Sequence, residues 1–410
     1  MINFVPFIIH LSFLIYYVKK SNYKICLSNF ILFLYTFSMF SFGIMAFFFK
    51  NDYYFTWTAY LIMLITLLIL LMPLRKYERH IAKRNILGFT QLPTFSFNLI
   101  VYFLIIIGMY SCLFYMRNIS LVFSYGINEV RQNQLIFYSS SIFSKIAVLG
   151  AYSSSISIFL FFYIITTYNN FNTKAKLLLI TSLSFIFYTL NVGGRDGFVV
   201  WSLYFIASYC LFYPFIPDKF KTKLKHFFII ILLLIIPVFW AMTMDRFGSN
   251  EGIKGAVESV FSYIGQPLAN FSYNIDFSIK TGTRSGEGSY PLEILDIIFL
   301  NKNLRMNRMD RIIYLQDFGF RSNQFASYIN SFYPSYPFYT LLIFIAICLC
   351  VFYQYRFRNN KIATEKLLIV YVWYTILIVG VFYFYYSPLA GNVYLLLPFI
   401  FSMIIKFSRI

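Results

Sequence analysis

Charge is what this chain lacks most: Asp, Glu, Lys and Arg make up only 12% of its 410 residues, and just 15 of those side chains are acidic. Soluble domains carry about 25% charged residues, so an ordinary globular fold is excluded. Histidine is scarce as well, with three in the chain. His10 falls in the first apolar run, while His80 and His226 fall in basic connections, which leaves no histidine on the opposite side as a base or metal ligand. The five cysteines, Cys26, Cys112, Cys210, Cys348 and Cys350, sit in apolar segments, are odd in number and form no CxxC pair. They read as small packing residues. No GxxxxGK[ST] loop occurs, which argues against a nucleotide-driven pump. The N-terminus has neither a basic stretch ahead of its apolar run nor a small-x-small cleavage site, so residues 2–18 read as a retained first span.

In place of charge the chain has 60% hydrophobic and 22% aromatic residues. Apolar runs recur at about 2–18, 25–49, 55–74, 96–116, 146–167, 177–192, 198–216, 227–244, 336–354, 367–386 and 393–405. The expected fold is therefore an all-α polytopic integral membrane protein with about eleven transmembrane helices. The net charge of +19 does not cluster as it would in a nucleic-acid binder but punctuates these runs, and it sets the topology. Lys19, Lys20 and Lys24 follow the first run, Arg75, Lys76, Arg79, Lys83 and Arg84 the third, and Lys174 and Lys176 the fifth. Lys219, Lys221, Lys223 and Lys225 follow the seventh, Arg356, Arg358, Lys361 and Lys366 the ninth, and Lys406 with Arg409 close the chain. Alternate connections are thus basic, which predicts a cytoplasmic C-terminus and an external N-terminus.

Three regions follow: residues 1–244 with eight helices and short loops, residues 245–335 as one long external loop, and residues 336–410 with three helices. Nine of the fifteen carboxylates lie in 245–335, beside nine basic residues. Within it Ile253, Ala256, Val257, Val260, Phe261 and Ile264 recur at helical spacing, which predicts an amphipathic helix on the membrane surface. Arg305, Arg308 and Arg311 recur every third residue and suit either phosphate or anionic lipid. The stretch Thr281–Gly288 is a flexible loop, serving either to surround a ligand or to act as a tether. Between the sixth and seventh runs lies Asn191-Val192-Gly193-Gly194-Arg195-Asp196-Gly197, a polar turn at or near bilayer depth. An ionisable residue in the apolar region costs about 2.5–3.5 kcal/mol even on the lower scales, so Arg195 is a functional candidate. The bland reading is an Arg195–Asp196 pair that neutralises the turn, although adjacent residues do not easily satisfy five guanidinium donors. Arginines and carboxylates without external histidine or thiolate suit transfer of a group from a pyrophosphate, with Arg stabilising the departing charge and Asp or Glu accepting a hydroxyl proton.

With these features the chain resembles the oligosaccharide repeat-unit polymerases of bacterial surface polysaccharides, the Wzy-type O-antigen polymerases. The likeness is architectural over nearly all of the chain. Locally, Gly193-Gly194-Arg195-Asp196 is similar to the family's Gly/Ser-Arg turn, Tyr263 to Phe271 to its Tyr-x-x-Gly-Pro-rich stretch, and Asn323 to Tyr333 to the segment before its next span. An Arg-x10-Gly pattern occurs once, Arg308 to Gly319. The resemblance implies a GT-C-like glycosyltransferase of the bacterial inner membrane that needs neither metal nor cofactor and works on the periplasmic face. Its partners would be undecaprenyl-pyrophosphate-linked oligosaccharide, membrane lipid and a chain-length regulator protein, with no nucleic acid. Arg195, Arg246 and Arg284 would hold the pyrophosphate, Arg321 and Arg308 would add to it, and Tyr263 and Asn323 would line the substrate site. Asp245, Asp196 and Glu287 are the candidate bases, in that order. The related O-antigen ligases carry a His-Asn pair where this chain has Ser322-Asn323, which weakens a ligase reading.

A lipid-linked oligosaccharide flippase is the competing class. Flippases keep connections short and place charge within the spans, whereas this chain has nearly charge-free spans and one long charged loop. The topology is testable directly: single cysteines placed at positions 250 and 285 should be labelled by impermeant thiol reagents in intact spheroplasts, and protection of both would reverse the assigned sidedness.

Overall fold

A computed structural model describes residues 2–21, 25–49, 55–83, 88–125, 141–191, 194–281, 294, 297, 361–381 and 389–409. Its helices are α1 (Val5–Lys20), α2 (Leu27–Phe48), α3 (Trp57–Lys83), α4 (Thr94–Tyr125), α5 (Ile142–Tyr152), α6 (Ser154–Tyr168) and α7 (Thr173–Thr181). They continue as α8 (Ser184–Asn191), α9 (Asp196–Phe212), α10 (Asp218–Thr281), α11 (Thr364–Gly380) and α12 (Leu389–Phe407). Two-residue strands β1 (Gly88–Phe89) and β2 (Lys361–Ile362) pair in parallel. Apolar composition without alternation makes helix the only spanning solution, since a helix satisfies its own backbone donors and acceptors. Among the described residues, seven helices are long and apolar enough to cross a membrane, or eight if α5 and α6, bent by 43° at Ser153, form one span. The chain is accordingly a multi-pass, all-α membrane protein. The candidates α1 and α11 have 16 and 17 residues and are shorter than those counted, and 336–354 lies outside the described residues.

The chain divides into two compact units. Unit 1 comprises Met1–Asn85, Met244–Tyr355 and Trp373–Asn392. Here α1, α2 and α3 pack through buried Leu27, Ile31, Phe42, Tyr60 and Leu67. At one end the Glu78 carboxylate of α3 accepts the Ser28 backbone N–H at 2.9 Å and the Ser28 hydroxyl at 2.5 Å. It therefore caps the first turn of α2, where a negative charge meets the positive end of the helix dipole. Beside it the buried Arg75 guanidinium lies over the Tyr17 ring. At the other end Phe4 packs edge-on against Phe47, and Phe42 against Phe55. Arg75, Lys76, Arg79 and Lys83, expected in a connection, are in fact the last turns of α3. Its 27 residues rise about 40 Å, beyond what a hydrocarbon core requires.

The expected break at Asp245 is likewise absent. The helical run of α10 passes through Asp245 and Arg246 and is interrupted at Gly252, with φ 59° and ψ −137°. Charged residues do not end a helix, whereas a residue with positive φ does, and glycine adopts one without a Cβ penalty. In the stretch after Gly252, Ile253 of the expected apolar face is exposed, while Ala256 of that face is buried together with Gly265, Leu268, Ala269, Asn270 and Phe271. Gly265 lies on the backbone of α2, where an added Cβ would stand 2.6 Å from Phe42 N, and the Ser38 hydroxyl donates to Ile264 O at 2.7 Å.

Unit 2 comprises Ile86–Thr243, Arg356–Val372 and Val393–Ile410. Its core is aromatic: Phe159, Phe162, Phe205, Phe212 and Tyr371 interlock at centroid separations of 5.0 to 6.0 Å. Helices α5 and α7 start on Ser141 and Asn172, whose side chains accept the N–H groups of Ser144 and Ala175. At one end β1 pairs with β2, Phe89 packs against Phe215, Lys174 donates to Asn98 Oδ1 at 2.6 Å, and Arg409 is held by Glu365 at 2.8 Å. These residues come from five segments that the charge pattern assigns to a single side, so within this unit the fold groups them as that pattern requires.

The close approach at Gly265 leads to a stability prediction. Gly265→Ala must displace backbone rather than a mobile side-chain tip, and should destabilise the protein by about 1–3 kcal/mol. Thermal unfolding in detergent measures it.

Candidate functional site

The glycine-framed turn connects α8 to α9 in unit 2. Its return is closed by the Gly194 N–H, which donates to Thr189 O at 2.7 Å. The glycines are required by crowding: an added Cβ on Gly194 would stand 2.6 Å from Asp196 Oδ1, and one on Gly197 would collide with the Thr189 hydroxyl and approach Phe185 O to 3.0 Å. The end of α8 therefore lies directly on the first turn of α9, and Arg195 is set at the N-cap position with φ −105° and ψ −8°. Asp196 occupies the first helical turn, where its negative charge is favoured by the dipole.

Arg195 is 5% exposed. Its Nη1 donates to Thr243 Oγ1 of α10, and its guanidinium carbon stands 5.1 Å from the centroid of the Phe239 ring. The Thr243 hydroxyl in turn donates to Phe239 O at 2.7 Å. That second bond uses the hydroxyl proton, so toward Arg195 the oxygen acts purely as an acceptor. The ring face adds a cation–π attraction in a medium of low polarity. Below this level, α9 holds α10 through aromatic stacking: Phe205 lies parallel to Phe228 at 5.3 Å and packs on Phe227 at 6.0 Å. Trp201 of α9 donates from Nε1 to Ser182 Oγ at 2.9 Å, anchoring that helix at the break between α7 and α8. Together these contacts fix a permanently charged fork of donors inside the helical bundle, an arrangement suited to an oxyanion such as phosphate.

The structure thus brings Arg195 and Asp196 together in one turn with Thr243 and Phe239 of the same unit. Asp245 and Arg246 lie in the helical run of α10, and Tyr263 is half-buried in its second stretch, all three within unit 1. The Tyr263–Phe271 stretch has a packing explanation of its own, because Gly265 is the point where α10 approaches α2. Arg284, Glu287, Arg308, Arg321 and Asn323, together with the Arg305–Arg311 repeat, lie outside the described residues. Thr243 and Phe239 were not legible in the sequence as site residues. An aromatic residue and a threonine four apart in a hydrophobic run are ordinary, and only the arrival of Arg195 from another helix distinguishes them.

No family model matches this chain, and no match to it was found among curated proteins or solved structures.

The crowding at the turn predicts that Gly197→Ala forces α8 and α9 apart and costs about 1–3 kcal/mol. Because the shift falls beside Arg195, any activity that uses the turn should drop further than the loss of folded protein alone explains, which an assay normalised to detergent-extracted, correctly folded protein would reveal.

Proposed function

We propose that this protein is an inner-membrane polymerase that joins undecaprenyl-pyrophosphate-linked oligosaccharide repeat units into O-antigen or a related surface polysaccharide at the periplasmic face. In this reading the chain has about eleven spans in a GT-C-like arrangement, with the long charged segment on the periplasmic side. The observation that carries it is the buried Arg195 guanidinium, held by Thr243 and Phe239 at the turn that the charge pattern assigns to the external face. A planar fork of donors held at that turn suits a negatively charged leaving group met there.

The growing chain on its lipid pyrophosphate is the donor, and a single lipid-linked repeat unit is the acceptor. An acceptor hydroxyl attacks the donor's anomeric carbon, a new C–O bond forms as the bond to pyrophosphate breaks, and inversion results. The hydroxyl proton passes to a carboxylate, with Asp245, Asp196 and Glu287 the candidates. Negative charge grows on the departing pyrophosphate, where Arg195, with Arg246, Arg284 and Arg321, opposes it. A planar fork pairs two phosphate oxygens at once, which the compact ammonium of lysine does not reproduce.

Deletion of the gene in a strain with smooth lipopolysaccharide should leave lipid A core bearing one repeat unit. Loss of a flippase would leave none, and that gel pattern would overturn the proposal. Arg195→Ala and Arg284→Ala should abolish the polymer ladder at unchanged protein level, and Arg195→Lys should fail as well. A normal ladder in both alanine variants would remove these arginines from the site.

A further inference from the structure

We infer that Thr243 is the positioning residue for Arg195: its hydroxyl acts as a one-directional acceptor that aims the guanidinium at the reacting pyrophosphate. This rests on the polymerase reading of Arg195 and adds a residue on a different helix. Thr243 is fully buried, so it meets neither solvent nor substrate and acts only through its contacts. Of these, one is the bond donated to Phe239 O at 2.7 Å, one turn earlier on its own helix. The other is the bond accepted from Arg195 Nη1. Because the proton is committed to the carbonyl, the lone pairs are directed at the guanidinium, and the β-branched side chain restricts rotation about χ1. Phe239 supports the planar group from its face at 5.1 Å. An arginine side chain would otherwise wander among many rotamers, and a donor fork misplaced by about 1 Å loses most of its value to a transition state. Thr243 and Phe239 thus fix two constraints, direction and plane, that the turn alone does not supply.

The test compares Arg195→Ala, Thr243→Val and Thr243→Ser in the deletion strain. Valine keeps the shape and removes the acceptor, whereas serine keeps the acceptor. Turnover is then measured in membranes, with undecaprenyl-pyrophosphate-linked single repeat units extracted from the deletion strain as the probe. Thr243→Val should lower kcat about tenfold or more, with KM changed less than about threefold, when turnover is normalised to folded protein. Thr243→Ser should restore most of the turnover. If Thr243→Val does not accumulate, Thr243→Cys makes the same comparison, because a thiol of similar size is only a weak acceptor. Normal turnover in Thr243→Val beside an inactive Arg195→Ala would overturn the positioning role and leave the site intact. Equal loss in the valine and serine variants would assign Thr243 to packing and also overturn it. Normal turnover in Arg195→Ala would remove the polymerase site reading itself.

Discussion

Inside a bilayer no water is available to satisfy a polar group, and the arrangement of this protein depends on that constraint more than on any other. Many of its hydroxyls bond back into their own helix or bridge to a neighbour. Thr36, Thr66 and Thr166 donate to carbonyls four residues earlier, at 2.8, 2.7 and 2.8 Å. Tyr35 and Tyr374 in unit 1 donate across helices to Leu377 O and Leu70 O, and in unit 2 the Ser208 hydroxyl donates to Tyr371 while Ser155 pairs with Tyr394. With apolar surface on every side, such bonds distinguish one helix neighbour from another, which dispersion alone does weakly. At these positions tyrosine is internal hydrogen-bonding material.

Charge follows the same logic at higher stakes. Glu78 on the N-terminus of α2 and Glu365 on Arg409 are carboxylates brought to groups that neutralise them, one to a helix dipole and backbone N–H, the other to a guanidinium. Both tie connections that the charge pattern places on the basic side, so they close the ends of their units. Arg195 differs in kind. It arrives on a crowded turn, and the contacts described for it are a hydroxyl and a ring face. It also stands at the turn that the charge pattern assigns to the opposite side, and for that reason the turn, rather than the ion pairs at the basic ends, is the candidate site.

Gly252 separates two stretches of α10 that behave differently. The stretch before the break carries Phe239 and Thr243 to Arg195, whereas the stretch beyond it is packed closely on α2 through Gly265. At Gly252 the backbone takes a positive φ, which glycine adopts without a Cβ penalty.

Composition and periodicity alone determined the membrane class, the helical fold, the positions of most spans and the grouping of basic connections, because a bilayer tests each segment separately for length, polarity and flanking charge. Arg195 was legible for the same reason, as a charge where charge is expensive. Only the tertiary structure decided that α10 continues past Asp245 to Gly252, that Gly265 is a packing contact, and that Arg75 lies buried over Tyr17. It alone chose Thr243 and Phe239 as the holders of Arg195. Those facts depend on which helices become neighbours, and segments that are uniformly apolar carry almost no record of their neighbours until they are packed.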